Sequence, residues 1–128
     1  MSNETIQHRK PVGTLRQFHK RIEIDKTEYD IRCPTSGEKI DVLVASQKAG
    51  DLDANNQPVD YAAGLRFLAR TAIASLYYPS SSTHVFTQED MPTVKNEPWL
   101  EQYGRDFAAA FAGQTVAEAR GNSEATPS

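Results

Sequence analysis

The sequence predicts an α+β domain, mostly α, in which an N-terminal β-hairpin packs on about four short helices. In the first third of the chain, two runs of alternating apolar and polar residues flank a short polar turn, a pattern typical of a hairpin. The rest of the chain carries segments with apolar residues at helical spacing, which follow helix-start patterns. A length of 128 residues, 38% of them hydrophobic, suits one domain with a modest core.

The hairpin is expected over residues 16–33, after an arm of residues 1–13 that we expect to be flexible. The apolar positions of its two runs are Phe18, Ile22, Ile24, Tyr29, Ile31 and Cys33. This alternation predicts that they share one buried face and that His19, Asp30 and Arg32 point outward. A two-stranded hairpin is only marginally stable alone, so we expect its apolar face to pack on the helices.

Two helices are predicted in the middle of the chain. Thr35 and Glu38 form a capping box, which predicts a first helix over about 36–49. Its apolar residues at helical spacing are Ile40, Leu43 and Val44. A longer helix is expected over about 58–78, because Pro58 suits a first turn and an apolar stripe follows it.

Two shorter helices, over about 88–95 and 97–112, complete the predicted domain of residues 14–113. Residues 114–128 are rich in small and polar side chains, and we expect them to form a flexible, disordered tail. The chain therefore consists of one domain between two flexible ends in this interpretation.

Charge and hydropathy exclude several classes of partner. The 14 basic and 17 acidic residues give a formal net charge of −3, which argues against nucleic acid, because phosphate binding needs a basic surface. The longest apolar-rich segment, residues 61–78, contains Arg66 and Arg70 and is too short and too charged to span a membrane. With one cysteine and no apolar leader, we expect a soluble cytosolic protein.

No catalytic, cofactor or metal site is expected, so we do not predict an enzyme. The histidines and Cys33 lack the spacing of a zinc site. Glu89 and Asp90 are adjacent carboxylates, but they lie in the first turn of a predicted helix, where they complement its dipole.

Aromatic residues are the candidate binding groups, because the helices carry more of them than a small core can bury. We predict that Phe67, Tyr77, Tyr78 and Phe111 contact a partner. The residues expected to form the core instead are Leu65, Leu68, Ile73, Trp99, Tyr103 and Phe107.

Two motifs carry a resemblance to a known family. The hairpin ends in the residues Y-D-I-R-C-P-T (29–35), and V-F-T-Q-E-D (85–90) precedes the last helices, with Thr87 and Asp90 as a helix-start box. Over roughly residues 18–113, this pattern resembles the tail assembly chaperones of long-tailed bacteriophages. In that family a "Y-x-I-R-x-P-T"-like segment precedes the helices, and an "F-T-x-E-D" helix start precedes the last one or two.

The resemblance implies a small non-enzymatic protein of the host cell cytoplasm that is absent from the mature virion. It would bind the tape measure protein, keep it soluble and help to recruit tail tube protein during tail assembly. Self-association would be compatible with this role, whereas a nucleic acid or a membrane would not be a partner. Many members also have a longer frameshifted form, and a polar tail such as residues 114–128 would suit the shorter one.

Two other functions stay open. A structural virion component of the tail or the head–tail connector would be expected to contain more strand than this sequence predicts. A small regulator or inhibitor of a host protein would share the acidic, non-catalytic character, and only its partner would identify it.

Overall fold

The computed structural model describes residue 8 and residues 10–113. Its elements are β1 (Phe18–Ile24), β2 (Thr27–Arg32), α1 (Ser36–Lys48), α2 (Tyr61–Ser75), β3 (Leu76–Tyr77), a 3₁₀ turn (Gln88–Asp90), α3 (Met91–Val94), α4 (Pro98–Gln102) and α5 (Gly104–Phe111). The predicted α+β, mostly α class is confirmed. The predicted tail, residues 114–128, and most of the predicted arm lie outside the described residues.

The sheet has three antiparallel strands in the order β1-β2-β3, rather than the two that the sequence predicted. The third strand forms because α2 ends at Ser75 and Leu76 has an extended backbone, with φ −103° and ψ 126°. Tyr77 then pairs with Asp30 of β2. The helix predicted over 58–78 is therefore too long at its C-terminal end, and the added strand supports a hairpin that would be marginal alone.

Turn chemistry and a bulge set the register of the hairpin. Asp25 and Lys26 both have positive φ, 50° and 65°, as a two-residue type I′ turn requires. The register shifts between Phe18 and Lys20, and such a bulge changes which face each side chain occupies. As a result Phe18 is 47% exposed and His19 only 7%, so the predicted faces of these two residues are wrong.

The second strand is covered on both faces, which also corrects a prediction. Asp30 and Arg32, expected to point outward, are 0% and 5% exposed. The Asp30 carboxylate accepts hydrogen bonds from Arg21, from Arg32 at 2.8 Å and from the Ser80 backbone N–H at 2.7 Å. Alternation could not reveal this burial, because one of the groups that cover Asp30, the Ser80 backbone, lies 50 residues away in the chain.

The first helix begins where the sequence predicted. The Thr35 backbone N–H donates to Glu38 Oε1 at 2.7 Å, and the Glu38 N–H donates to Thr35 Oγ1 at 3.2 Å, which confirms the capping box. The second helix begins at Tyr61, three residues later than predicted, and Asp60 caps it by accepting the Ala63 N–H at 2.8 Å.

The C-terminal region is more divided than predicted. The segment expected over 88–95 is a 3₁₀ turn followed by α3, and the Asp90 carboxylate accepts the Thr87 N–H at 2.9 Å. The helix expected over 97–112 separates at Tyr103 into α4 and α5. A Cβ on Gly104 would lie 3.3 Å from Leu68 Cδ2, so a glycine at this position lets α5 approach α2 closely.

The core lies between the sheet and the helices, with α2 at its centre. It consists of Ile22, Ile31, Ala69, Ala72, Ile73, Leu76, Val94, Trp99, Leu100, Phe107 and Ala110. Of the predicted core residues, Ile73, Trp99 and Phe107 are buried, Leu68 and Tyr103 pack partly buried against the core, and Leu65 is half-buried. Across the described residues, none of the helices has the length and apolar character needed to cross a membrane.

Candidate functional site

A polar cluster centred on Glu38 joins three parts of the chain. The Glu38 Oε2 atom lies 3.2 Å from Arg16 Nη2 and 2.8 Å from His84 Nε2. The Tyr77 hydroxyl lies 3.4 Å from Glu38 Oε1 and donates to the Ala74 carbonyl at 2.9 Å. The capping box fixes Glu38 in the first turn of α1, so a residue that the sequence identified only as a cap also holds the N-terminal segment and the chain after β3 in place.

The environment sets the ionisation of this cluster. Burial raises the pKa of the Glu38 carboxyl, but hydrogen bonds from the Thr35 N–H and Arg16 outweigh it and hold that pKa below its usual value. Burial, reinforced by the charge of Glu38, raises the pKa of the Tyr77 hydroxyl well above its usual value. Near neutral pH Glu38 is therefore a carboxylate and Tyr77 a neutral phenol, whose single O–H donates to the Ala74 carbonyl.

Beside this cluster, α1, α2 and the segment after β3 enclose a groove of about 210 Å³. We call it the α1 groove, and it is lined by Glu38, Asp41, Ile73, Ala74, His84, Phe86, Thr87 and Gln88. Ile73 and Ala74, which are 2% and 5% exposed, form its apolar base. Phe86 is held in place by stacking on Trp99, with ring centroids 5.9 Å apart.

The size of the α1 groove limits what it can hold. Pockets for cofactors and other small molecules usually have volumes of about 300–1,000 Å³. A cavity of about 150 Å³ accommodates a benzene-sized group. The α1 groove, at about 210 Å³, therefore suits a single side chain of a partner better than a cofactor.

The outer face of α1, next to Asp41 of this groove, carries two exposed apolar side chains. Ile40 and Val44 are 58% and 40% exposed, whereas Val42 and Ser46 are the residues that α1 buries. The rotation of α1 follows from polar contacts, because Arg70 donates to Ser46 Oγ at 3.1 Å and Glu38 joins the cluster described above. The sequence indicated this apolar stripe but not which way it faces.

The structure brings Phe67 and Phe111 together but does not gather the four predicted contact residues at one site. Phe67 and Phe111 are half-buried and lie edge to face, with ring centroids 6.0 Å apart, where α2 meets α5. Tyr78 is 46% exposed and lies 6.3 Å from the Tyr29 ring. Tyr77 is 0% exposed, so its prediction as a surface contact residue is wrong. It is buried because the chain has already left α2 and entered the sheet at this position.

A second buried carboxylate has a structural explanation. Asp51 is 1% exposed and accepts hydrogen bonds from Arg66 at 2.6 and 2.9 Å and from Arg70 at 2.8 Å. The bonds from Arg66 and Arg70 outweigh burial and hold the pKa of Asp51 below its usual value. This network ties the loop after α1 to α2. Within the described part of the chain, no group of three or more potential ligands could hold a metal ion.

Comparison with known proteins adds no relative. No family model matches the chain, no curated protein matches it, and no solved structure matches it.

Proposed function

We propose that this chain is a tail assembly chaperone of a long-tailed bacteriophage. It binds the tape measure protein, keeps it soluble and helps to recruit tail tube subunits in the host cell cytoplasm, without entering the mature virion. The observation that carries the proposal is a pair of exposed apolar side chains on α1, Ile40 and Val44, which are 58% and 40% exposed beside a groove that suits one side chain. Exposed apolar surface of this kind is typical of protein-binding sites.

Two further features support the proposal. The chain runs from a hairpin through two longer helices to an F-T-Q-E-D segment (86–90) that precedes short final helices, the order of elements that carries the resemblance to this family. A net charge of −3 favours solubility of a protein that leaves apolar side chains at its surface. Neither feature requires catalysis, so we propose no enzymatic activity.

The sheet favours a chaperone over a structural virion component. Copies in a ring are commonly joined by strand pairing, which requires an open sheet edge. On the β1 edge, the Glu23 carbonyl already accepts the Tyr103 hydroxyl at 3.1 Å, and β3 at the other edge has two residues. The β3 edge therefore offers no long row of free backbone groups, and one carbonyl of the β1 edge is already occupied. The host-regulator alternative is left to experiment.

The test is co-expression of the tagged protein with the tape measure protein encoded nearest to it. We expect the tape measure protein to become soluble and to co-purify with several copies of this chain. If it stays insoluble while this chain elutes alone as a defined ring, the virion-component alternative replaces the proposal. Capture of a host protein in place of the tape measure protein would favour the regulator.

A further inference from the structure

The acidic residues of the α1 groove are unequally paired. Glu38 contacts Arg16 and His84, so its charge is offset within the protein. Asp41, three residues further along α1, lines the same groove and forms no ion pair in the part of the chain that the structure describes. The groove therefore has an apolar base and one uncompensated carboxylate at its rim.

From this arrangement we propose that the α1 groove receives one side chain of a basic amphipathic helix, and that Asp41 pairs with a lysine or arginine of that helix. The inference rests on the proposed function, in which the helix belongs to the tape measure protein. The lysine or arginine of that helix fits the groove with its aliphatic stem on Ile73 and Ala74 and its charge at the rim beside Asp41.

A helix fits this site better than an extended strand. Strand addition needs free backbone groups, but the Val85 N–H already donates to the Leu76 carbonyl at 3.2 Å, and His84 is bridged to Tyr77. The groove thus presents side chains rather than backbone. An amphipathic helix presents apolar and charged residues one turn apart, which matches an apolar base beside a carboxylate.

The exposed face of α1 extends the same surface. Val44 lies three residues after Asp41 and four after Ile40, so its side chain neighbours each of theirs on the helix surface. A bound helix that placed a cation at Asp41 could lay its apolar residues on Val44 and Ile40. The charge requirement of the site distinguishes it from a patch that binds any apolar segment.

The first experiment measures binding of two labelled peptides to the full-length protein by fluorescence anisotropy. One is an 18-residue amphipathic helix of leucine and lysine, and the other has glutamate in place of every lysine. We expect the basic peptide to bind at least about tenfold more tightly. Equal binding of the two peptides, or tighter binding of the acidic one, would overturn the proposal.

Asp41→Lys locates the effect, and Glu101→Lys is the matched control, because both reverse an exposed carboxylate on a helix and change the net charge equally. We expect Asp41→Lys to weaken binding of the basic peptide about tenfold. Glu101→Lys should change the affinity for that peptide less than about twofold. Equal losses in the two variants would mean attraction by net charge alone and would refute the site. Their melting temperatures should match that of the wild type.

A second arm separates this inference from the proposed function. The same variants are co-expressed with the tape measure protein, and its soluble fraction is measured. If the wild type and Asp41→Lys capture it equally, the groove is not the site, although the chaperone function stands. If the wild type does not capture it while the peptide results hold, the groove stands and the chaperone function fails. If the chain dimerises and peptide binding is lost on dimerisation, a second copy of this chain occupies the groove. That result would overturn the assignment of the groove to a helix of the tape measure protein.

Discussion

At the scale of single residues, two adjacent tyrosines show what the local pattern could not decide. Tyr77 is 0% exposed and Tyr78 is 46% exposed. The sequence predicted both at the end of a helix, where neither position is strongly constrained. The change from helical to extended backbone at Leu76 decides their burial, because Tyr77 lies within the sheet in β3 and Tyr78 follows the end of that strand.

Truncation of each tyrosine should therefore have a different effect. Tyr77→Ala removes a fully buried aromatic ring and its hydrogen bonds, and we expect it to lower the free energy of unfolding by about 3–5 kcal/mol. Tyr78→Ala should cost about 1 kcal/mol or less and should reduce capture of the tape measure protein. Thermal melts and the co-expression assay measure the two effects. A large stability loss in Tyr78→Ala without any change in capture would identify it as a packing residue.

At the scale of elements, the start of α1 was predictable but its orientation was not. Its start and end agree with the prediction to within one residue, because a capping box acts through contacts only three residues apart. Its rotation depends on contacts from Arg16, Arg70 and His84, which are distant in sequence. For the same reason the sequence could suggest an apolar stripe on α1 but not the α1 groove, whose lining comes from three separate segments.

The double substitution Ile40→Ser with Val44→Ser tests whether this stripe is a binding surface. Because both side chains are largely exposed, we expect the melting temperature to change little and capture of the tape measure protein to fall about tenfold. The control is Val59→Ser, which removes an apolar side chain of similar exposure, 53%, outside the helices. If the double variant instead melts far below the wild type, α1 packs with this stripe inward and the described orientation is wrong.

At the scale of the whole molecule, α2 links two layers, the three-stranded sheet and the helices. It packs on α1 and α5 and continues directly into β3. The class of the fold was predictable from where apolar residues recur. They recur every two residues in the first third of the chain, as in strands, and about every 3.6 residues in later segments, as in helices. The third strand was not predictable, because two residues are too few to show a period. Nor were the buried charges, because Asp30 and Asp51 find partners as far as 50 residues away.

This linkage predicts that the sheet and the helices unfold together. Trp99, the only tryptophan, is 7% exposed in the core, so its fluorescence reports the C-terminal helices, while far-ultraviolet circular dichroism follows all helices. We expect one urea midpoint for both signals. Ile31→Ala, in the buried centre of β2, should lower both midpoints equally and reduce the free energy of unfolding by about 2–4 kcal/mol. The control is Thr27→Ala at an exposed strand position, which should reduce the free energy of unfolding by under about 1 kcal/mol. If Ile31→Ala moved the circular dichroism midpoint but not the tryptophan midpoint, the C-terminal helices would form a separate unit. In that case α2 would not couple the two layers, and a substitution in the sheet could not be used to control the stability of the α1 surface.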